Sequence, residues 1–184
     1  GLLPAAPTLL VSGGSQGARS LNNAAAAASS DLLAAGVQVL HVAGPTQVAD
    51  VQLPPPAEGQ PPYVLLPYVD DMEFAYAAAD LMLCRAGAMT CAELSAVGLP
   101  GIFVPLPHGN GEQRFNAAPI VDAGGGLMVA DAKLSGQWLS DTAIPLLRDA
   151  ARLAEMSARA ADLGRRDADE KLVYMIFQAA GSPA

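Results

Sequence analysis

The sequence predicts an α/β fold, a doubly wound parallel sheet of the Rossmann-like kind. Two observations lead to this class. The short apolar runs are continuous rather than alternating, which is typical of strands that are buried on both faces. Helical patterns separate these runs along the chain, as in a parallel sheet that carries helices on both sides. At 184 residues, the chain is long enough for about one domain of this kind.

The first three strands are predicted from apolar runs at 8–12, 37–43 and 63–66. An alanine-rich helical pattern over 18–35 connects the first two of them. Gly36 follows this helix at the position where a left-handed residue commonly ends one. Residues 44–62 hold six of the fifteen prolines, which predicts a surface loop.

The second half of the chain continues the alternation. Asp70-Asp71-Met72-Glu73 has the form of a capping box, at the start of a helix that ends at Ala79. Further strands are predicted at 81–84 and 101–104, with a short one at 126–129. Further helices are predicted at 88–97, with Gly98 behind it, at 113–123, and as two or three segments within 135–179. Ligands in such sheets bind beyond the carboxyl ends of the strands, so four loops are expected to converge on one site: 12–17, 67–72, 84–90 and 105–116.

Composition and charge exclude several classes of function. The net charge is −8 and no basic stripe is present, so a nucleic-acid partner is not expected. Cys84 and Cys91 lack the paired spacing of a metal site, and neither a metal nor a cofactor is expected. A chain with only two cysteines suits a reducing cytosol. No apolar stretch of about 18 residues and no signal peptide are found. The chain opens on Gly1 rather than methionine and is expected to be a piece of a larger protein.

A glycine-rich turn separates the first strand from the first helix, in the sequence LLVSGGSQGA. A helix that begins near Gly17 points unpaired N–H groups and a positive dipole end toward Gly14 and Ser15, which suits a bound phosphate. A tight turn without a ligand explains the same residues. The spacing matches neither the dinucleotide pattern Gly-x-Gly-x-x-Gly nor a triphosphate loop with its lysine.

The fourth strand is followed by an arginine and then by a helix that carries a glutamate. Arg85 can neutralise a diphosphate leaving group without a metal. Glu93 lies about one and a half turns inside the helix, and its carboxylate can accept hydrogen bonds from both hydroxyls of a ribose. The alternatives are a capping box formed by Thr90 and Glu93, and a surface ion pair for Arg85.

The loop after the fifth strand leads into a helix rich in polar side chains. Glu112, Gln113 and Asn116 are placed on one face, as a set of donors and acceptors suited to sugar hydroxyls. Asn110 with Gln113 also has the spacing of a capping pattern, so Gln113 alternatively serves only the helix start. His108 is a candidate general base or, alternatively, an exposed loop residue.

Three segments taken in order resemble the C-terminal, donor-binding domain of the MurG family. These enzymes transfer N-acetylglucosamine from its UDP derivative to lipid I, which makes lipid II in peptidoglycan synthesis. The segments are GGSQGARSLN, PYVDDMEFAYAAADLMLCRAGAMTCAELSAVGLPGIFVPLPHGNGEQRFNA and DAGGGLMV, and the similarity runs from about Pro7 to Leu163. The resemblance implies one half of a GT-B enzyme, in which two Rossmann-like domains face each other. It divides this chain into a UDP-sugar-binding domain, 1–164, and a C-terminal helix, 165–184, that reaches toward an N-terminal domain.

The resemblance also implies which residues bind the donor. They are Gly13, Gly14, Ser15, Gln16, Tyr68, Val69, Met72, Arg85, Ala88, Met89, Thr90, Glu93, Glu112, Gln113 and Asn116. The glycine loop matches the diphosphate position, and Tyr68 and Val69 border the uracil. Ala88 and Met89 match positions whose backbone amides serve the sugar and the phosphates. Many family members have two glutamines where this chain has Glu112-Gln113, which leaves the role of Glu112 open.

The acceptor site and the general base belong, in the family, to the N-terminal domain. No residue of this chain is therefore assigned as catalytic, and the chain alone is expected to bind donor without turning it over. The full enzyme is expected at the cytoplasmic face of the plasma membrane as a peripheral protein, and this fragment in solution. Residues 169–178 form a partly apolar helix that predicts self-association of the fragment. The alternatives are another GT-B enzyme, such as a glycolipid glycosyltransferase or a UDP-sugar epimerase, and a nucleotide-binding module without catalysis.

Overall fold

A computed structural model of the chain describes residues 1–55 and 57–181. Within these ranges a six-stranded sheet has the order β3-β2-β1-β4-β5-β6, and all neighbouring strands are parallel. The strands are β1 (Thr8–Ser12), β2 (Gln38–Val42), β3 (Tyr63–Leu66), β4 (Leu81–Cys84), β5 (Gly101–Phe103) and β6 (Gly126–Met128). The predicted doubly wound sheet is confirmed, and every strand lies within one residue of its predicted bounds.

Seven α-helices are present in the part of the chain that the structure describes. They are α1 (Arg19–Ala34), α2 (Met72–Ala77), α3 (Ala88–Val97), α4 (Glu112–Asp122), α5 (Gly136–Leu147), α6 (Ala150–Ala161) and α7 (Ala168–Ala179). Short 3₁₀ turns lie at Val48–Asp50 and Asp131–Lys133. The predicted capping box before α2 is wrong. Asp71 is the N-cap, but its side chain makes no capping hydrogen bond, and the helix begins two residues later and ends two residues earlier than predicted.

The sheet has an aliphatic core on each face because successive strand residues point to opposite sides. Leu9 and Val11 of β1 pack with α1 and α5 on one face. Leu10 packs on the other face with side chains of α2, α3 and α4. Both cysteines lie in this second core, where burial raises the pKa of the Cys91 thiol to about 11 and that of Cys84 further. Both are core residues whose thiols stay protonated at neutral pH.

Helix α7 differs from the others because every one of its residues is exposed. Its middle carries six large apolar side chains in a row, from Leu172 to Phe177, with exposed fractions between 48% and 65%. Among the described residues, no helix is both long and apolar enough to cross a bilayer.

Candidate functional site

A cavity of about 160 Å³ opens at the carboxyl ends of the central strands. Its lining comes from the glycine loop after β1, from the loop after β3, and from α2 and α3. The lining residues are Ser12, Gly14, Ser15, Val42, Tyr68, Val69, Met72, Tyr76, Met82, Thr90 and Glu93. Seven of them were predicted as site residues from the sequence. Loops that are separated by more than 50 positions are thus brought together, as the parallel topology predicts.

The glycine loop follows β1 with a tight, left-handed geometry. Gly14 and Gly17 have φ angles of +89° and +75°, and the Gly17 amide donates to the Gly14 carbonyl oxygen at 2.9 Å. A Cβ atom on Gly17 would collide with the carbonyl oxygen of Ala43, so the loop is seated against the end of β2. Glycine is needed here both for its backbone conformation and for this close approach.

Two helices begin at this edge without a side-chain cap. Helix α1 follows Ala18, and α3 follows Gly87; neither N-cap residue makes a side-chain hydrogen bond, and neither helix has an acidic residue in its first turn. The first-turn amides of a helix have no partner within the helix, and the positive end of its dipole lies there. Ser15, in the glycine loop that leads into α1, and Thr90, in the first turn of α3, line one cavity, so this loop and the start of α3 face the same space. Together they form an arrangement suited to a diphosphate.

A series of hydrogen bonds that is buried at its centre and reaches the surface at Gln47 supports the glycine loop from behind. The ring nitrogens of His41 lie 2.8 Å from the Tyr63 hydroxyl and 2.9 Å from Asn22 Oδ1. Asn22 Nδ2 donates to Gln47 Oε1 at 3.3 Å, and Gln47 Nε2 donates to the Gln16 carbonyl oxygen at 2.8 Å. This set, which we call the loop support, runs from β3 to the glycine loop. Gln16 therefore takes part through its backbone, and its side chain does not line the cavity.

The direction of these bonds fixes the state of His41. The amide group of Asn22 uses its nitrogen as donor to the Ala43 carbonyl oxygen at 2.9 Å, so its oxygen accepts from the Nε2–H of His41. The Nδ1 atom then accepts from Tyr63. Burial lowers the pKa of His41 to about 4, so the ring is neutral at physiological pH. The sequence does not reveal the loop support because its five residues lie on separate segments.

Glu93 occupies the floor of the cavity with a tyrosine beside it. The Tyr76 hydroxyl donates to Glu93 Oε2 at 2.7 Å. Burial, and then the hydrogen bond to Glu93, raise the pKa of Tyr76 well above its usual value, so the phenol stays protonated. The capping-box alternative for Thr90 and Glu93 is wrong, because Gly87 is the N-cap of α3 and Thr90 already lies inside the helix.

Arg85 leaves the end of β4 and is held by acceptors of the protein. Its Nη1 atom lies 2.6 Å from Asp131 Oδ1 and 3.1 Å from the Val104 carbonyl oxygen, and Nη2 donates to Ser20 Oγ at 2.9 Å. The Arg85 and Asp131 side chains are only 14% and 20% exposed. Burial works to raise the pKa of Asp131, but the hydrogen bonds from Ser20 and Arg85 and the Arg85 charge outweigh it, and the pKa falls below its usual value. Arg85 thus forms an ion pair, but a mostly buried one and not the surface pair given as the alternative, and Arg85 is not among the residues that line the cavity.

The polar residues at the start of α4 and in the loop before it lie outside this cavity. Gln113 Oε1 accepts from the Leu106 amide at 2.9 Å, and Asn116 Nδ2 donates to the Ala86 carbonyl oxygen at 3.1 Å. The predicted capping pattern is wrong, because Gly111 is the N-cap of α4. Asn110 Oδ1 instead accepts from the amide of the neighbouring Glu112, at 3.1 Å.

The remaining predicted residues lie nearby without lining the cavity. Ala88 and Met89 form the exposed start of α3, with 70% of Met89 exposed, and Gly13 precedes Gly14 in the loop. In the described ranges no group of three or more His, Cys, Asp or Glu side chains is placed to hold a metal ion. A larger cavity of about 980 Å³ lies at the opposite edge of the sheet. Two of its polar side chains serve the fold: Asp80 accepts from the Thr8 amide, and Arg166 donates to the Ala96 carbonyl oxygen.

Comparison with known proteins gives consistent results. The profile described as the glycosyltransferase family 28 C-terminal domain matches residues 8–172. The UDP-N-acetylglucosamine--N-acetylmuramyl-(pentapeptide) pyrophosphoryl-undecaprenol N-acetylglucosamine transferase of Acidothermus cellulolyticus is 63% identical over 184 residues, covering 99% of this chain and 50% of that protein. The protein of the same name from Streptomyces collinus is 58% identical over 183 residues, with 99% and 50% covered. The chain thus spans about half the length of these curated relatives.

Solved structures agree with these relatives. The crystal structure of Acinetobacter baumannii MurG superposes with a TM-score of 0.84 and 30% identity, over 96% of this chain and 51% of that chain. The calicheamicin glycosyltransferase CalG4 superposes with a TM-score of 0.66 and 21% identity, over 97% of this chain and 45% of that chain, and shows the shared fold alone.

Proposed function

Because the chain belongs to the glycosyltransferase family 28 C-terminal domains, we propose that it is the donor-binding half of a UDP-N-acetylglucosamine transferase that converts lipid I to lipid II in peptidoglycan synthesis. The observation that carries the proposal is the cavity at the carboxyl edge, where the glycine loop that leads into α1 and the uncapped first turn of α3 meet the Glu93 carboxylate. The names of the relatives supply the identity of the sugar and of the acceptor.

The diphosphate is assigned to the glycine loop. The amides of Gly14 and Ser15 and the first turns of α1 and α3 supply N–H donors with a favourable dipole. Each helix end contributes about 0.3–2 kcal/mol, so several amides act together to stabilise the charge that develops on departing UDP. Arg85 lies at the same edge, but its charge is shared with Asp131, and the amides are therefore the main donors in this assignment.

The nucleoside is assigned to the opposite wall of the cavity. Tyr68, Val69 and Met72 border the uracil, with the backbone of Val69 paired to the base. Glu93 accepts hydrogen bonds from the ribose hydroxyls, because a carboxylate offers two oxygens with several acceptor positions. Thr90 faces the same space from α3.

The N-acetylglucosamine group is assigned to the start of α4 and the exposed turn of α3. Gln113 uses its oxygen to hold Leu106, which leaves its Nε2 group as a donor to sugar hydroxyls. Asn116 uses its nitrogen on Ala86, which leaves its oxygen as an acceptor. Glu112 can only accept from hydroxyls, and the amides of Ala88 and Met89 complete the set.

Calorimetry with this chain tests the proposal. UDP-N-acetylglucosamine, UDP-glucose, UDP and TDP are titrated into the unaltered chain, and the first ligand is expected to bind with the lowest Kd. Glu93→Ala is expected to weaken all uridine ligands by a similar factor. Weakening confined to the two sugar-bearing ligands would contradict the ribose assignment, and binding of none of the four would contradict the donor-binding function itself.

The full enzyme requires a second domain in this proposal. The lipid I acceptor site and the general base are assigned to an N-terminal domain, so the chain alone binds donor without transfer. The full enzyme works as a peripheral protein at the cytoplasmic face of the plasma membrane. The apolar residues of α7 pack on that domain, and when the chain is alone they pair with a second copy.

A further inference from the structure

We propose that Tyr76 is a positioning residue for the donor: its hydroxyl holds the Glu93 carboxylate in the orientation that receives the ribose, and so gives the site its preference for ribonucleotides. The inference rests on the ribose role of Glu93 in the proposed function.

The geometry singles out this tyrosine. Tyr76 lies in α2, is only 8% exposed, and packs its ring in the core between the sheet and α3. The hydroxyl reaches out of this core to Glu93 Oε2 at 2.7 Å, and both residues line the cavity. The ring therefore fixes where the hydroxyl sits, and the hydroxyl fixes one oxygen of the carboxylate.

Glu93 needs such a partner because a glutamate side chain is flexible. Its rotamer freedom is lost when it is immobilised, and a bound ligand would otherwise have to supply that ordering. With Oε2 held by Tyr76, Oε1 and the remaining lone pairs stay available to two vicinal hydroxyls. A donor that keeps its proton throughout the physiological range suits this task, and burial keeps the phenol protonated.

The position of Tyr76 also places it close in sequence to the residues assigned to the base. Helix α2 begins at Met72, directly after the loop that carries Tyr68 and Val69. The same short segment therefore borders the assigned uracil position and orients the ribose carboxylate. Removal of the Tyr76 hydroxyl should therefore weaken the binding of the ribose hydroxyls and leave the binding of the base unchanged.

The test compares two ligands that differ only in those hydroxyls. The Kd of UDP and of 2′,3′-dideoxyuridine 5′-diphosphate is measured by calorimetry for the unaltered chain, Tyr76→Phe and Glu93→Ala. Tyr174→Phe on exposed α7 is the matched control. The ratio of the two Kd values is expected to fall about fivefold or more in Tyr76→Phe, as for the loss of one hydrogen bond to a charged group, with the dideoxy ligand changed less than twofold. Tyr174→Phe is expected to keep both values.

The outcomes separate this inference from the function on which it rests. An unchanged ratio in Tyr76→Phe, or equal weakening of both ligands, would overturn the positioning role. If Glu93→Ala itself weakens both ligands equally, the ribose assignment of Glu93 fails as well. Because each ratio is taken within one variant, a lower folded fraction in Tyr76→Phe cancels and does not obscure the result.

Discussion

The guanidinium of Arg85 lies 2.6 Å from the carboxylate of Asp131, in an ion pair whose two side chains are mostly buried. The pair ties the end of β4 to the turn that follows β6, and Ser20 joins it to the first turn of α1. It thereby fixes the edge of the sheet from which α1 presents its amides.

Removing the charge of Asp131 is expected to destabilise the fold. Asp131→Asn leaves the Arg85 charge in a mostly buried position without its counter-ion, which costs about 1–3 kcal/mol. Urea unfolding at pH 7 measures the difference. The matched control is Asp141→Asn, on an exposed carboxylate of α5, which is expected to change stability by less than about 0.5 kcal/mol.

The pH dependence of this difference follows from the pKa of Asp131, which lies below its ordinary value of 3.8. A carboxylate with a lowered pKa in the folded state stabilises the fold above the unfolded value, and loses that contribution as the pH falls through the folded value. The gap between the unaltered chain and Asp131→Asn should therefore be constant near neutral pH and shrink on acidification below about pH 4. A gap that persists unchanged at the lowest pH where the chain is folded would rule out the charge as its cause.

Gly17→Ala is expected to lower the stability of the protein by more than the left-handed backbone angle at this position alone would cause. The new Cβ would collide with the Ala43 carbonyl oxygen, whereas Gly59, with a φ of +81°, has open space around it. Gly59→Ala should cost about 1 kcal/mol from its left-handed backbone, and Gly17→Ala about 1–3 kcal/mol more. Thermal unfolding measures both, and the Gly17 variant alone should also lose affinity for UDP. Equal effects of the two variants would mean that the close approach to β2 is unimportant.

Asn22→Ala is expected to break the loop support. The change removes the acceptor of His41 Nε2 and the donor to the Ala43 carbonyl oxygen, two buried groups that each cost about 1–3 kcal/mol when unpaired. A loss of at least about 2 kcal/mol in urea unfolding follows. Asn23→Ala is the control, because the next residue of the same helix is exposed. Similar stability of the two variants would argue that water replaces the amide without cost.

Helix α7 is expected to drive association of the isolated chain. Sedimentation should give a mass that rises with concentration, because six large apolar side chains face solvent. The double variant Leu172→Glu with Ile176→Lys keeps helix-favouring residues and a favourable i,i+4 pair, and should stay monomeric with unchanged affinity for UDP. A clean monomer of the unaltered chain at high concentration would contradict this prediction.

The strands and the convergence of three loops, 12–17, 67–72 and 84–90, could be predicted because both follow from local patterns and general topology. The fourth expected loop, 105–116, contributes no residue to the lining of the cavity. Continuous apolar runs mark buried strands, and parallel order places their following loops at one edge. The capping patterns failed at α2, α3 and α4, since the same residue types also form turns and loop contacts. The spacing of these residues alone does not distinguish a helix cap from a turn or a loop contact.

The partners of the functional side chains could not be predicted from the sequence. Arg85 and Asp131 are 46 positions apart, and Tyr76 and Glu93 lie on different helices. Such pairs depend on how each helix is positioned on the sheet. A hydrophobic pattern indicates which face of a helix is buried, but it does not give the distance between two side chains. The sequence therefore indicates Glu93 as a ligand residue but contains no signal for Tyr76.

The absence of a side-chain cap at Ala18 affects both the stability of α1 and the availability of its first-turn amides. At many helices a serine N-cap adds about 1 kcal/mol by bonding the amides of the first turn, which at α1 have no side-chain cap. Those are the amides assigned to the pyrophosphate bridge, so an internal hydroxyl would compete with the incoming nucleotide. Because Ala18 provides no such cap, the first-turn amides of α1 remain available to the diphosphate in the proposed assignment.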